Sequence, residues 1–294
     1  MFGILLIDKP AGITSHGVIS RLRRIFGTRR IGHAGTLDPL ATGLLVVAVG
    51  PATRFLQYLD LEPKTYEAEI TFGVATNTYD SEGEETESKP IPDDLNNLIK
   101  QKLHDFIGKI EQFPPAYSAV KHLGKPLYAY ARKGEEVELK SRSVFISQFS
   151  LDSLDGATGR FTVVCSGGTY VRSLAHDLGQ AIGCGAHISA LRRTSAGQFS
   201  ADDATSLEET EPSDLIPVKE VLVHLPQIQL DPEQVDCIRH GRPITISDRL
   251  ESPKAALLTP EGNVVGIGSV VKESTLHPEC VIPAEVFDEL LSTP

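Results

Sequence analysis

The sequence predicts an α+β fold: a mixed sheet with helices around it, followed by a small C-terminal module of short strands. Three observations predict it. Strand patterns come in runs as well as alternating with helices, which disfavours a doubly wound parallel sheet. Gly- and Pro-rich turn signals separate the apolar runs. The composition turns acidic and Pro-containing around 210–225, which marks a boundary before the last strands at 225–294.

The elements follow in order. Gly3 to Asp8 reads as a short buried strand, punctuated by Lys9-Pro10-Ala11-Gly12. Thr14 or Ser15 can cap a helix whose apolar side holds Val18, Ile19, Leu22, Ile25 and Phe26, with Gly27 just past its end. Residues 32–43 read as a loop, 44–49 as a buried strand and 52–59 as a helix. From Lys64 to Phe72 the pattern alternates, placing Tyr66, Ala68, Ile70 and Phe72 on one face of a half-buried strand. Residues 76–94, acidic and with two prolines, read as an exposed loop. A helix spans Leu95 to Ile107 and stops at Gly108. Pro114-Pro115 opens an irregular stretch with a short helix at 126–133. Strands are expected near 143–150 and 160–165, a helix from Tyr170 to Ala181 after Gly167-Gly168-Thr169, and a strand near 187–193. The final strands include 254–258 and 263–271.

Composition narrows the classes. The chain has 294 residues, 40% of them hydrophobic and 23% charged, which suits a folded globular protein and not a disordered one. No apolar run is long enough to span a membrane. The first nine residues lack the pattern of a secretory leader. Four scattered cysteines without CxxC spacing fit reduced residues, so a cytoplasmic protein is expected. The net charge of −11 hides a split: residues 1–60 and 121–200 are each net basic, and 61–120 and 201–294 are net acidic. Binding depends on local potential, so the two basic blocks permit a polyanion site.

Chemistry concentrates in Gly32-His33-Ala34-Gly35-Thr36-Leu37-Asp38-Pro39-Leu40-Ala41-Thr42-Gly43. The glycines allow close approach of a ligand, and Pro39 holds Asp38 extended. Asp38 is either a working carboxylate or a turn cap. No second acid lies within twenty positions of it, no P-loop is present, and His33 with Asp38 makes a poor metal site. That leaves a lone nucleophilic or basic Asp. Tyr66 is either core or a stacking platform for a flat substrate. Arg172 falls in the first turn of its helix, where a cation opposes the macrodipole. An anion in compensation makes Asp38 a candidate partner; a solvent-facing arginine is the alternative. Tyr117, Lys121, Lys125, Tyr128, Tyr130, Arg132 and Lys133 interleave as in single-strand binders.

With these residues in view, the chain resembles the TruB-type tRNA pseudouridine synthases. GHAGTLDPLATGLL at 32–45 resembles that family's signature loop. Supporting segments follow in order: DKPAGITS at 8–15, KTYEAEITFG at 64–73, PPAYSAVK at 114–121, GGTYVRSLAHDLG at 167–179 and GCGAHISALRR at 183–193. The resemblance covers residues 3–200 and is weaker beyond. It implies a pseudouridine-synthase-like sheet, mostly antiparallel, in a catalytic domain at 1–215. It also implies a thumb-like insertion at about 114–140 and a mainly-β PUA-like RNA-binding module at 225–294.

The resemblance further implies that Asp38 is the catalytic residue, supported by Tyr66 and Arg172. His33, Tyr66, Tyr170 and Leu191 are then substrate-binding, and Lys9, Lys64 and Lys121 are candidate RNA contacts. The implied reaction is isomerisation of uridine 55, in the T arm of tRNA, to pseudouridine after base flipping. It implies no metal, no cofactor, no membrane, no obligatory protein partner and a monomeric, stand-alone bacterial type. The acidic segments 76–94 and 201–220 are expected to face away from the RNA. A non-catalytic RNA-binding protein on the same scaffold would not need Asp38. An aspartate-dependent hydrolase would need a second carboxylate or a metal.

Overall fold

The computed structural model describes residues 2–287 apart from Ala119, Arg132, Glu136, Asp248, Arg249, Glu273 and Ala284. Arg132, one of the interleaved basic residues, therefore lies outside the described residues. The chain begins with β1 (Gly3–Lys9), α1 (Ser15–Ile25), β2 (Ile31–Ala34), β3 (Thr42–Val49), β4 (Lys64–Phe72), β5 (Val74–Thr76), β6 (Glu85–Ser88) and α2 (Leu95–Leu103). Then come β7 (Gly108–Gln112), β8 (Lys121–His122), β9 (Lys125–Pro126), α3 (Leu127–Ala131), β10 (Arg142–Asp155), β11 (Thr158–Cys165), α4 (Val171–Ile182) and β12 (Ala186–Ala196). β13 (Phe199–Ser200), β14 (Thr205–Ser206) and α5 (Val218–Val221) lead to the last elements. These are β15 (Gln227–Gln229), α6 (Pro232–Arg239), β16 (Ile244–Thr245), β17 (Lys254–Leu258), β18 (Val264–Lys272) and β19 (Thr275–Val281).

One large sheet carries the order β14-β1-β3-β12-β4-β11-β10-β7, with β2 on β3 and β13 on β12. Within this sheet, among the described residues, the β1–β14 and β3–β12 pairs are parallel and the other strand pairs antiparallel. The expected mixed, mostly antiparallel α+β sheet is what forms. β3 is apolar at almost every position because both its faces are covered. Leu45, Val47 and Val49 pack with Val18, Ile19 and Leu22 of α1. Leu44, Val46 and Ala48 pack the other way, with Phe55. β4 alternates as predicted: Tyr66, Ala68, Ile70 and Phe72 are buried. Their face joins a cluster with Ile99 and Leu103 of α2 and Leu174 and Leu178 of α4.

The second sheet runs β15-β17-β18-β19-β16. It does not stand apart. Ala256, Leu258 and Ile267 share a buried cluster with Val218, Leu222, Phe55 and Ile4.

Several local expectations are corrected. Ile31–Ala34 is a strand, paired antiparallel to β3, inside a stretch read as loop. Short length and two small residues hid it. The segment read as a helix at 52–59 is a 3₁₀ helix, Gly50–Tyr58, with Pro51 at its start. The 76–94 stretch is not simply an exposed loop. It completes a hairpin of β5 and β6, and buries Thr76 and Asp80.

Candidate active site

The loop after β2 is clamped from both sides of Asp38. The buried Ser15 hydroxyl accepts a hydrogen bond from Leu37 N at 2.8 Å and donates one to Leu37 O at 3.0 Å. The Lys9 ammonium donates to the carbonyls of Pro10, Ile13 and Pro39 at 2.8, 2.7 and 3.2 Å. Gly12 N also donates to Pro39 O. Lys9 is fully buried, so it is not an RNA contact as expected; it is an internal tie on the loop. Burial pulls its pKa down to about 8, against an opposing pull from Asp38. Gly43 closes the loop at φ +92°, and a Cβ there would lie 2.3 Å from Arg193 O. Backbone contact excludes any side chain at that position. Ser15→Ala strands the Leu37 amide and is expected to lower stability by about 1–3 kcal/mol, read as a shift in the urea midpoint at unchanged slope.

Arg172 enters from α4. Thr169 does not cap this helix: its hydroxyl donates to Ser166 O, and the N-cap is Tyr170, which has no side-chain cap bond. Buried Gln112 grips Tyr170 instead, accepting from its N–H at 2.8 Å and donating to its carbonyl at 3.0 Å. Arg172 thus sits in the first turn, 4% exposed, with its Nε 2.9 Å from Asp38 Oδ2. The Nε–H makes no aligned hydrogen bond, so this contact is an ion pair. Nη1 donates to Thr78 O at 2.8 Å and to Asp80 Oδ2 at 3.1 Å, and Nη2 to Tyr117 O at 3.1 Å. Asp80 is itself held by the Thr78 hydroxyl and Glu82 N–H. One cation therefore bridges two carboxylates. Burial raises the Asp38 pKa, Arg172 opposes, and Asp80 pushes it further up.

Asp38, Arg172, Tyr66, Leu191, Tyr170 and Lys64 line a cleft of about 330 Å³. Tyr66 is buried, which keeps its phenol protonated, and Arg193 lies beside the hydroxyl. Arg193 is 1% exposed and donates to Leu44 O at 2.7 Å and Gly35 O at 2.9 Å. Tyr170 lies under the Arg142 guanidinium, 5.4 Å from its ring centroid. Burial and the Arg193 charge lower the Lys64 pKa.

Other predicted residues are elsewhere. His33 lies on β2, outside the cleft lining; burial and nearby Arg193 lower its pKa. Lys121 is exposed on β8, also outside that lining. Asp80, Gln112 and Arg193 were not singled out from sequence. The period-two pattern of β12 puts Arg193 on the face of Leu191 and was the available signal. Asp80 carried none: it sits in a stretch whose charge suggests solvent. At Asp80 this acidic segment departs from the exposed reading, because the carboxylate is buried against Arg172. Among the described residues no group of three or more His, Cys, Asp or Glu could hold a metal ion, and no helix is long and apolar enough to cross a membrane.

Comparison with known proteins gives the family of the chain. Residues 23–171 match the family model "TruB family pseudouridylate synthase (N terminal domain)". Residues 172–215 match "tRNA pseudouridylate synthase B C-terminal domain", and 226–282 match "Pseudouridine synthase II TruB, C-terminal". The chain is 41% identical over 285 residues to a tRNA pseudouridine synthase B of Chromobacterium violaceum, covering 94% of this chain and 93% of that one. It is 42% identical over 296 residues to the protein of that name from Dehalococcoides mccartyi, covering 98% and 97%. In three dimensions it resembles a chain solved in the "Crystal Structure of a Cbf5-Nop10-Gar1 Complex", with a TM-score of 0.70 and 25% identity over 97% of this chain and 86% of that one. With a mixed sheet, a clamped aspartate loop and near full-length relatives, the chain belongs to the TruB family of pseudouridine synthases and is an isomerase.

Proposed function

We propose that the protein converts uridine 55 in the T arm of tRNA to pseudouridine, with Asp38 as its catalytic residue. The observation that carries this reading is the Asp38 carboxylate, one-third exposed and ion-paired to a buried Arg172, at the wall of a cleft that also holds Tyr66. The target base leaves its stack and enters the cleft. Tyr66, Tyr170 and Leu191 give it apolar and aromatic faces to rest on. The C1′–N1 bond breaks with Asp38 beside it, the base turns, and C5 joins C1′. N1 gains a proton and C5 loses one to solvent. Atoms and electrons balance without any redox partner. Residues 1–215 carry the chemistry, 114–140 serve as a thumb over the RNA, and 225–294 add an RNA-binding module.

Loss of the C5 proton supplies the test. With T-arm RNA carrying [5-³H]uridine only at position 55, the protein is expected to release its tritium completely, EDTA included. RNA bound tightly without release would overturn the proposal. The net basic blocks are expected to bind the phosphates. Changing Arg23, Arg24 and Lys121 to Ala should flatten the slope of log K against log salt by roughly 1 for each phosphate no longer neutralised. An unaltered slope would remove these residues from the RNA surface.

A further inference from the structure

The turn that delivers Asp80 is held in an unfavourable conformation. Tyr79 has φ +63°, one of two non-glycine residues at positive φ among those described. A bulky residue there is a genuine outlier, and such outliers point to a function for whatever holds them. The backbone around it is tied to β12: Ile188 N donates to Tyr79 O at 3.0 Å, and Ser81 N to Ile188 O at 2.9 Å. The ring is held as well. It stacks on His176, centroids 3.8 Å apart and planes 14° from parallel.

His176 follows Arg172 by four residues on α4, so both project from one face of the helix. That face grips the turn twice. Arg172 takes the Thr78 carbonyl and the Asp80 carboxylate, and His176 takes the Tyr79 ring. The His176 Nδ1 is buried without a hydrogen-bond partner, so the imidazole contributes its face. Burial lowers its pKa, which favours a neutral ring.

We propose that Tyr79 and His176 are positioning residues for the catalytic carboxylate: their stack holds the turn left-handed, so that Asp80 meets Arg172 and Arg172 meets Asp38. The proposal rests on the reading of Asp38 as catalytic. It makes an ordering that simple packing does not. Tyr79→Ala loses the ring and keeps the penalty for positive φ, so the turn relaxes and Asp80 moves. Tyr79→Gly loses the ring and the penalty together, so the turn survives in part. Tyr79→Phe keeps the stack.

Two readouts are taken on each variant. The first is tritium release, resolved into kcat and KM. Tyr79→Ala is expected to lower kcat about tenfold with KM within about twofold, Tyr79→Gly to recover part of it and Tyr79→Phe nearly all. His176→Phe, which keeps a stacking face, should exceed His176→Ala. In an Asp80→Asn background, Tyr79→Ala should cost less than about twofold more, because the group it positions is gone. The second readout needs no activity: hydrogen exchange at the amides of Ser81 and Glu82, the latter bonded to the Asp80 carboxylate at 3.1 Å. Exchange should quicken about tenfold in Tyr79→Ala and stay at the wild-type rate in Tyr79→Phe.

Tyr79→Gly no better than Tyr79→Ala, equal losses in both backgrounds, or unchanged exchange in Tyr79→Ala would each overturn the proposal. A wild-type protein that releases no tritium would overturn the functional reading instead, and the exchange rates would still decide the positioning.

Discussion

Asp38→Asn is expected to lower tritium release from T-arm RNA by about 10⁴-fold or more, while RNA affinity stays within about twofold of wild type. Asparagine keeps the shape and removes the charge that the chemistry needs. The loop clamps touch Leu37 and Pro39 and not the Asp38 side chain, so the loop itself should hold. The variant should also melt no lower than wild type at pH 7. The sign follows from the raised carboxyl pKa. Between the unfolded and folded pKa values the folded state binds more protons, so stability falls as pH rises through that window. At neutral pH the ionised Asp38 therefore weakens the fold, and Asn removes that burden. The advantage of the variant should shrink as pH falls through the raised pKa of Asp38 and the wild-type carboxyl takes up its proton. A thermal melt at several pH values checks this. A variant that melts well below wild type at pH 7 would contradict a raised pKa for this carboxyl.

Arg172→Met has the second large expected effect, on both stability and rate. It leaves Asp80, 4% exposed, facing Asp38 with no cation between them. It also strands the carbonyls of Thr78 and Tyr117. Breaking a buried pair from one side costs about 3–5 kcal/mol, to be read from urea unfolding. Tritium release should fall by about 10²–10³-fold, and its acid limb should move to higher pH, because Arg172 no longer opposes protonation of Asp38. Arg172→Lys restores charge without the fork. A single ammonium cannot span two carboxylates and two carbonyls, so stability should return in part and the rate should not. Arg172→Lys at the wild-type rate would mean that the cation acts only as a point charge.

The legible parts of the sequence were those set by local chemistry. The alternation of β4 buried Tyr66, and the spacing of Val18, Ile19 and Leu22 placed α1 against the sheet. The conflict of Arg172 with its helix dipole pointed to an anion, and the fold brings Asp38 to it. What stayed hidden depends on distant partners. Asp80 reads as a solvated acid until a guanidinium from α4 is placed against it. Lys9 reads as a surface cation until three carbonyls from two loops, those of Pro10 and Ile13 and that of Pro39, close over it. Arg193 reads as a polar end to a strand until the Gly35 and Leu44 carbonyls claim it. Tyr79 gave no warning of its positive φ, because the stack that holds it comes from a helix far along the chain.

Whether Asp38 carries the isomerisation is decided by a single-turnover reaction of wild type and Asp38→Asn in parallel, with nucleosides of the recovered T-arm RNA quantified by chromatography. Wild type is expected to give one pseudouridine per RNA, at position 55 and without change in RNA mass, and Asp38→Asn to give none. Pseudouridine formed by Asp38→Asn at the wild-type rate would take this carboxylate out of the chemistry.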